Sequence, residues 1–221
     1  PGTNNGVGGT GAFTMLGIPG VPSTGGAPIQ ISNAVSYFLP QNLGGFYGQA
    51  MYAMGENPSN TAISSNGNVG SVRLGYANGP INIAYAWGQT DFFLNAAKPS
   101  TSYQTQSVGA SYNFGVAKLT GLWSQDKAVG KSSGVYLVGA TVPLGAGEIR
   151  GSYSWGSTTA HALDGSQIAL GYIYNLSRRT ALYGDYSYIR NSGKLASYNL
   201  GVITPVGQNT YGVDFGVKHS F

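Results

Sequence analysis

The chain has 221 residues with no cysteine, 36 glycines and 16 tyrosines, and only 8% of its residues are charged. A soluble domain normally carries about 25% charged residues, so this composition argues against an ordinary water-facing surface. The net charge of +4 includes no basic run longer than Arg178 and Arg179, so no nucleic-acid partner is expected. No stretch approaches the roughly 20 apolar residues of a membrane helix. Together these features predict an all-β transmembrane antiparallel up-and-down β-barrel, in which apolar residues alternate with polar ones.

Alternation of period two is the main structural signal along the chain, and it predicts eleven strands. In chain order these cover 29–39, 45–54, 69–77, 81–89, 104–114, 116–125, 134–142, 147–156, 166–175, 180–190 and 209–221. Most have the nine to eleven residues that a tilted strand needs to cross a bilayer. Residues 29–221 are therefore expected to form the strands of a single barrel domain.

The predicted connections alternate between short and long. The short ones are 40–44, 78–80, 113–115, 143–146 and 175–179, and the long ones are 55–68, 90–103, 126–133, 157–165 and 191–208. Outer-membrane barrels have short periplasmic turns on one rim and longer external loops on the other. A soluble β-sandwich with one hydrated face would also alternate, but it is not expected to keep this rhythm. With the long connections outside, the chain begins on the external side, so an odd number of strands is expected upstream.

The two faces of the predicted strands differ in charge. Large apolar residues such as Leu74, Ile83 and Leu170 share one face, which we expect to contact the lipid of the outer membrane. Every aspartate, glutamate and lysine of the predicted strands falls on the other face, and we predict that the charged residues there line a pore. Arg190 has the parity of the lipid-facing set, but it sits at a strand end where it could reach the membrane interface. The predicted pore-lining residues are Arg73, Lys118, Glu148, Arg150, Asp185, Asp214 and Lys218. Their four positive and three negative charges give too small a margin to establish ion selectivity, and Glu148 and Arg150 could simply pair with each other.

Catalytic and metal-binding constellations are not visible in the sequence. The two histidines, His161 and His219, fall in a predicted loop and at a strand end, and there is no cysteine or acidic cluster beside them. We therefore predict no enzymatic activity, no metal site and no cofactor.

Several stretches resemble the Gram-negative general porins, in particular those of β-proteobacteria. They are NAVSYFLPQNLGGFYGQAMYAMGE (33–56), VRLGYANGPINIAYAWG (72–88), GATVPLGAGEIRGSY (139–153), ALGYIYNLSRRTALYGDY (169–186) and the terminal GVDFGVKHSF. The resemblance implies a multi-pass protein of the bacterial outer membrane with sixteen strands, eleven of them in this chain. It also implies a homotrimer and, as a further partner, missing N-terminal strands of the same barrel.

The resemblance implies roles for both ends of the chain. Residues 1–28, an irregular segment without a charge, correspond to the end of the third extracellular loop, which narrows the pore in this family. Phe221 corresponds to the terminal aromatic residue that the barrel-assembly machinery recognises. Two departures concern selectivity, because 1–28 lack the acidic residues usual in that loop and Ile29-Gln30-Ile31 stand where relatives often carry arginine.

The expected function is passive diffusion of small hydrophilic solutes and ions through a water-filled channel, with a mild preference for anions. Two alternatives remain open from the sequence. A substrate-specific channel for sugars or organic acids would need aromatic or paired binding groups inside the pore, where Phe38 and Tyr47 are the clearest inward rings. A surface adhesin or structural barrel would need long or strongly patterned loops.

Overall fold

A computed structural model describes residues 31–196, 198–200 and 204–220. The predicted loop at 1–28 and the predicted assembly signal Phe221 lie outside these residues. The strands are β1 (Ala34–Phe38), β2 (Phe46–Ala53), β3 (Val69–Asn78), β4 (Ile81–Phe92), β5 (Thr101–Asn113), β6 (Lys118–Ala128), β7 (Lys131–Leu144), β8 (Gly147–Thr158), β9 (Gly165–Asn175), β10 (Thr180–Asn191) and β11 (Thr210–His219). All eleven predicted strands are therefore confirmed. The part of the chain that is described contains no helix of the length and apolar character needed to span a membrane.

The strands form one sheet in which each strand is hydrogen-bonded to the next one along the chain, from β1 to β11. The pairings are antiparallel, as expected for strands that are joined directly by turns and loops. In this order β1 and β11 each have a single neighbour among the described strands. The up-and-down topology predicted from the sequence is confirmed.

Two compact units can be distinguished. Within the described residues, one contains 31–110 and 123–134, and is called the N-unit here; the other contains 111–122 and 135–220, and is called the C-unit. The N-unit holds the registered pairs of β1 to β4, and the C-unit holds those of β8 to β11.

The connection between β6 and β7 differs from the prediction. A long connection at 126–133 was expected, but the two strands continue to a two-residue turn at Val129 and Gly130, with φ of 54° and 72°. Positive φ at both central residues belongs to the tight hairpin turn that matches strand twist. Valine is disfavoured in this conformation, which is why the sequence does not mark the turn. Here Val129 packs on an apolar cluster that includes Phe92 and Tyr103.

Two other boundaries were also placed wrongly. The predicted connection at 90–103 shrinks to 93–100, where Asn95 and Lys98 form an isolated bridge. The first strand begins at Ala34 rather than at 29, although residues 29 and 30 are outside the described part. Long connections other than the one at 126–133 are retained in shortened or shifted form, so the predicted short-long rhythm fails only between β6 and β7.

Side chains alternate between two faces that have different chemistry. On one face, called the apolar face, large side chains are solvent-exposed, including Leu74 at 55%, Leu170 at 53% and Phe215 at 82%. The opposite face, called the polar face, carries most of the charged residues of the strands. Asp91, Lys127 and Arg190, each near a strand end, have the parity of the apolar face instead. The buried part of the polar face lies towards the β6–β7, β8–β9 and β10–β11 connections, where Val135 and Ile189 are fully buried. A sheet that exposes its large apolar residues and buries small and polar ones is inverted relative to a soluble protein.

Candidate functional site

The polar face of the C-unit brings most of the predicted pore-lining residues together. Strand register places Arg150 of β8 opposite Gly171 of β9, Gly171 opposite Asp185 of β10, and Asp185 opposite Asp214 of β11. Gly171 has no side chain, and the Asp185 carboxylate occupies the space above it: a Cβ built at Gly171 would lie 2.1 Å from Asp185 Oδ1. Four neighbouring strands therefore present a row of one guanidinium and two carboxylates.

Glu148 and Arg150 form an ion pair on this face. They are two residues apart in β8, so both side chains project to the same side. The Arg150 Nε donates to Glu148 Oε1 at 2.6 Å, and the Nη2 of Arg150 contacts the same oxygen. The Arg150 side chain remains 44% exposed and the Glu148 side chain 30% exposed. The self-neutralising interpretation of this pair is therefore supported by its geometry, and the pair adds little net charge to the face.

Lys118 and Lys218, unlike Arg150, have no acidic side chain paired with them in the described part of the chain. Lys118 begins β6, and Lys218 lies near the end of β11 opposite Ala181. Both residues are exposed. Within the described ranges, neither ammonium group makes a hydrogen bond or an ion pair with a protein side chain. Their charges are therefore the least compensated on the polar face of the C-unit.

Arg73 is the one predicted pore-lining residue that belongs to the N-unit. It lies in β3 between Gln49 and Ala86, and its guanidinium carbon is 5.8 Å from the centre of the Tyr47 ring. That ring lies over Gly75, where a built Cβ would come within 2.3 Å of the ring Cζ. The Tyr47 hydroxyl donates to Asn82 Oδ1 at 2.7 Å. Arg73 is thus held beside an aromatic ring rather than beside a carboxylate.

A segment of the β10–β11 connection folds onto the polar face, which the sequence does not predict. Tyr198 packs on Val135, against which Leu122 and Leu137 also pack, and these residues all belong to the C-unit. Buried Asn191 fixes the segment, because its Oδ1 accepts from the Tyr198 amide at 2.9 Å and its Nδ2 donates to the Tyr198 carbonyl at 3.0 Å. The Asn191 Nδ2 also donates to the Gln208 carbonyl at 2.6 Å. The loop is therefore closed by a side chain from the end of a strand.

The hydroxyl of Tyr198 joins this segment to the β8–β9 connection. It donates to the Leu163 carbonyl at 2.7 Å. Burial, with the nearby Asp164 carboxylate as a second cause, raises the pKa of Tyr198 to about 12. The phenol therefore stays neutral and able to donate throughout the physiological range. The sequence gives no specific signal for this contact between Tyr198 and Leu163, because an aromatic residue among polar ones is common in loops.

The histidines do not assemble a reactive site. His161 Nδ1 lies 2.6 Å from Asp164 Oδ2 at an exposed position, and His219 Nδ1 lies 2.9 Å from Thr180 Oγ1. Over the described part of the chain, no group of three His, Cys, Asp or Glu residues could hold a metal ion.

Comparison with known proteins identifies the family. The model of the Gram-negative porin family matches residues 2–194. The chain is 34% identical over 204 residues to outer membrane porin protein 32 of Delftia acidovorans, covering 87% of this chain and 57% of that protein. The solved anion-selective porin from Comamonas acidovorans superposes with a TM-score of 0.75 at 32% identity, covering 86% of this chain and 60% of that one. A Vibrio cholerae outer membrane protein, OmpT, shares the fold with a TM-score of 0.60 at 15% identity.

The chain thus spans somewhat less than two thirds of the length of the relatives it matches. Its strands match those of porin barrels, and its relatives are outer membrane proteins, which makes it a multi-pass β-barrel protein of the outer membrane. The family comprises channels rather than enzymes. Because the family model matches residues 2–194, which are most of its length, the chain belongs to the Gram-negative porin family.

Proposed function

We propose that the complete protein forms a water-filled channel for passive diffusion of small hydrophilic solutes and ions, with a mild preference for anions. The observation that carries the preference is the contrast between Arg150, which is neutralised by Glu148, and the uncompensated Lys118 and Lys218. Fixed charges on a pore wall bias ion passage through their field. Arg73 adds a fourth cation, held against Tyr47 rather than against a carboxylate. The solved relative from Comamonas acidovorans is named an anion-selective porin, which supports the same sign.

The reversal potential in a KCl gradient tests this proposal. The purified outer-membrane protein is inserted into a planar lipid bilayer, with a tenfold higher KCl concentration on one side. We expect large open steps and a reversal potential whose sign indicates faster passage of chloride than of potassium. A reversal potential of the opposite sign contradicts the anion preference, and an absence of conductance steps contradicts the channel itself.

We propose that the seven charged residues of the polar face line the aqueous pore and that the apolar face contacts lipid. The exposure of Leu74, Ile83 and Leu170 on the apolar face supports this, because charged groups facing lipid cost roughly 2–4 kcal/mol at the bilayer midplane. Spin labels at these positions should be quenched by lipid-borne agents. A label at Arg73 should instead be quenched by a water-soluble agent, and the reverse pattern would refute the assignment of faces.

We propose that strands outside these eleven complete the barrel, because β1 and β11 each have one described neighbour and membrane strands cannot leave open edges in lipid. We propose that the complete barrel has sixteen strands. We also propose that residues 1–28 narrow its pore. The length of the matched relatives supports the additional strands. Intact mass of the channel-forming species is the test, since a single 22.9 kDa species that conducts unaided would contradict it.

Assembly is the last element of the proposal. Three copies would bury part of the apolar face against one another, and the terminal Phe221 would be recognised by the barrel-assembly machinery. The exposed aromatic and aliphatic surface of the strands supports such an association, because it is far larger than a water-soluble monomer tolerates. Native mass spectrometry should give three chains per particle, and Phe221→Ala should lower the yield of assembled protein. A monomeric particle would rule out the trimer.

A further inference from the structure

The polar face of the C-unit contains a cavity of about 780 Å³. Its floor includes small residues of three strands, β7, β9 and β10, which leave a depression in the sheet surface. They are Gly139, Ala169, Gly171 and Ala181. Tyr183, Lys218, Arg150 and Asp185 border this floor. The volume is within the range of small-molecule pockets, which combine an apolar lining with a few placed polar groups.

Tyr183 provides a flat aromatic surface at one side of the cavity. It is the register partner of Gly216, and a Cβ built at Gly216 would lie 2.4 Å from both the Cζ and the hydroxyl oxygen of the Tyr183 ring. The ring can lie this close only because Gly216 has no side chain. One ring face therefore rests on the strand, and the ring also lines the cavity, so its other face is available to a planar ligand.

Lys218 stands next to this ring on the same face of β11. It follows Gly216 by two residues, which places the two Cα atoms roughly 7 Å apart along the strand. In the part of the chain that is described, the Lys218 ammonium has no protein partner. Because it lines the cavity, it is positioned to receive a carboxylate of a ligand whose body lies on the Tyr183 ring.

The opposite side of the cavity carries negative charge. The Asp185 carboxylate lies over Gly171, and Asp214 is the register partner of Asp185. Arg150, the cation of this row, is already paired with Glu148. A ligand with a second anionic group at its far end would bring that group towards Asp185 and Asp214, where like charges repel.

We propose that this cavity binds small planar organic monoanions, with the carboxylate at Lys218 and the planar body on Tyr183. The site favours a monocarboxylate over a dicarboxylate because of the carboxylates on its far side. This inference rests on the proposed channel function, since the solute reaches the cavity through the pore.

Block of single-channel current by benzoate tests the site. The purified outer-membrane protein is studied in a planar bilayer in KCl while sodium benzoate is added to one side. We expect reversible, concentration-dependent reduction of current. Lys218→Gln should raise the half-blocking concentration about tenfold, as expected for the loss of one charge-assisted hydrogen bond. An unchanged half-blocking concentration in Lys218→Gln overturns the proposal.

Lys118→Gln is the matched control. It removes the same charge from another unpaired lysine of the polar face, and Lys118 does not line the cavity. Both variants should lower the anion preference, but the half-blocking concentration should stay within about twofold of wild type in Lys118→Gln. Equal weakening of block in both variants means that benzoate responds to the general field of the wall, and it overturns the site.

Three further variants address the ring and the carboxylates. Tyr183→Phe keeps the ring and should retain block, whereas Tyr183→Leu should weaken it several-fold; retention of block in the leucine variant overturns the role of the ring.

Terephthalate should block wild type at least tenfold more weakly than benzoate does, and Asp185→Asn should reduce that difference. Equal block by the two anions in wild type overturns the specificity. Normal KCl steps without benzoate block refute the site and leave the channel function standing, while absence of steps refutes the channel function first.

Discussion

The Arg150 Nε donates a hydrogen bond to Glu148 Oε1 at 2.6 Å, so the guanidinium on the polar face of β8 carries its own counter-charge. Glu148→Gln keeps the shape of the pair and removes the negative charge. We expect the chloride-to-potassium permeability ratio to rise about twofold, because the field of Arg150 is then no longer cancelled. The reversal potential in a KCl gradient measures this ratio.

Glu56→Gln is the control for that measurement. Glu56 lies in the connection between β2 and β3, where its carboxylate accepts from Asn33 Nδ2 at 2.7 Å. It makes the same charge change outside the strands, and we expect a permeability ratio close to that of wild type. An equal rise in both variants would mean that the overall charge of the protein, rather than the pair on β8, sets the selectivity.

The inward fold of the β10–β11 connection depends on Asn191. Asn191→Ala removes three hydrogen bonds from a buried side chain, at a cost of about 1–3 kcal/mol to the closed form of the loop. We expect tryptic cleavage after the exposed Lys194 to become at least about tenfold faster, since cleavage tracks the opened population. Single-channel conductance should also rise, because Tyr198 would no longer cover the polar face.

Ser192→Ala provides the comparison for loop opening. Ser192 is exposed and adjacent to Asn191, and in the described part of the chain only its backbone amide makes a hydrogen bond, to the Asp164 carbonyl at 2.9 Å. Cleavage and conductance should match wild type in this variant. Unaltered cleavage in Asn191→Ala would show that packing of Tyr198 alone holds the loop.

High pH should release the same loop through Tyr198. Its pKa is raised from 10.0 to about 12, because burial disfavours the phenolate. A raised pKa of an acid means that the neutral form is the stabilised one, so the contribution is complete below about pH 10 and is lost as pH rises through about 12. Cleavage in the connection should therefore accelerate between these values, measured with a protease that is active in alkali.

Tyr198→Phe separates this titration from the general effect of alkali. The variant lacks the hydrogen bond to the Leu163 carbonyl and cannot ionise. Its loop should open somewhat more readily at neutral pH, and its cleavage rate should be flat between pH 10 and 12. A parallel acceleration in the variant would assign the alkaline opening to other groups.

Gly75 is required for the position of Tyr47. Gly75→Ala would place a Cβ within 2.3 Å of the Tyr47 ring, so the ring must move away from Asn82 and Arg73. We expect a loss of about 1–2 kcal/mol in the free energy of unfolding, from one hydrogen bond and one cation–π contact. Urea unfolding of the protein in detergent micelles measures this difference.

Gly88→Ala is the matched substitution for Gly75. Gly88 lies in β4 on the same face, and a Cβ there meets its nearest neighbour, Ser71 Cβ, at an ordinary 3.5 Å. Stability should be unchanged or slightly increased, because alanine restricts the unfolded chain more than glycine does. Comparable losses in the two variants would indicate a general intolerance of the sheet to side chains on this face.

The strands and their two faces were predictable because a transmembrane strand repeats its environment every two residues. Leu170, Tyr172 and Asp185 follow this rule without exception. The β6–β7 turn was not predictable, because Val129 adopts a left-handed conformation that valine rarely takes and is supported by packing against Phe92. This packing involves residues far apart in the sequence, so the residues around the turn do not indicate it.

The charged pair on β8 was also open to sequence reasoning, since Glu148 and Arg150 are two residues apart. Asn191 and Tyr198 illustrate the opposite case. Their contacts join a strand end to a loop through backbone groups, and backbone groups have no residue-specific signal. The cavity beside Lys218 was hidden for a related reason, because small residues of β7, β9 and β10 form its floor, and the register that brings them together appears only in the folded sheet.

In the proposed channel, the placement of Tyr47 over Gly75 and of Tyr183 over Gly216 has a consequence for the passage of solutes. A tyrosine ring that lies against the backbone of a glycine offers an apolar surface to which solutes can bind, and it does not project across the pore. The width of the pore and the affinity of its wall for solutes can then change separately during evolution. Glycine placement changes the width, and replacement of tyrosine by an aliphatic residue changes the affinity. Sieving by size and retention by affinity thus become independent properties of one wall.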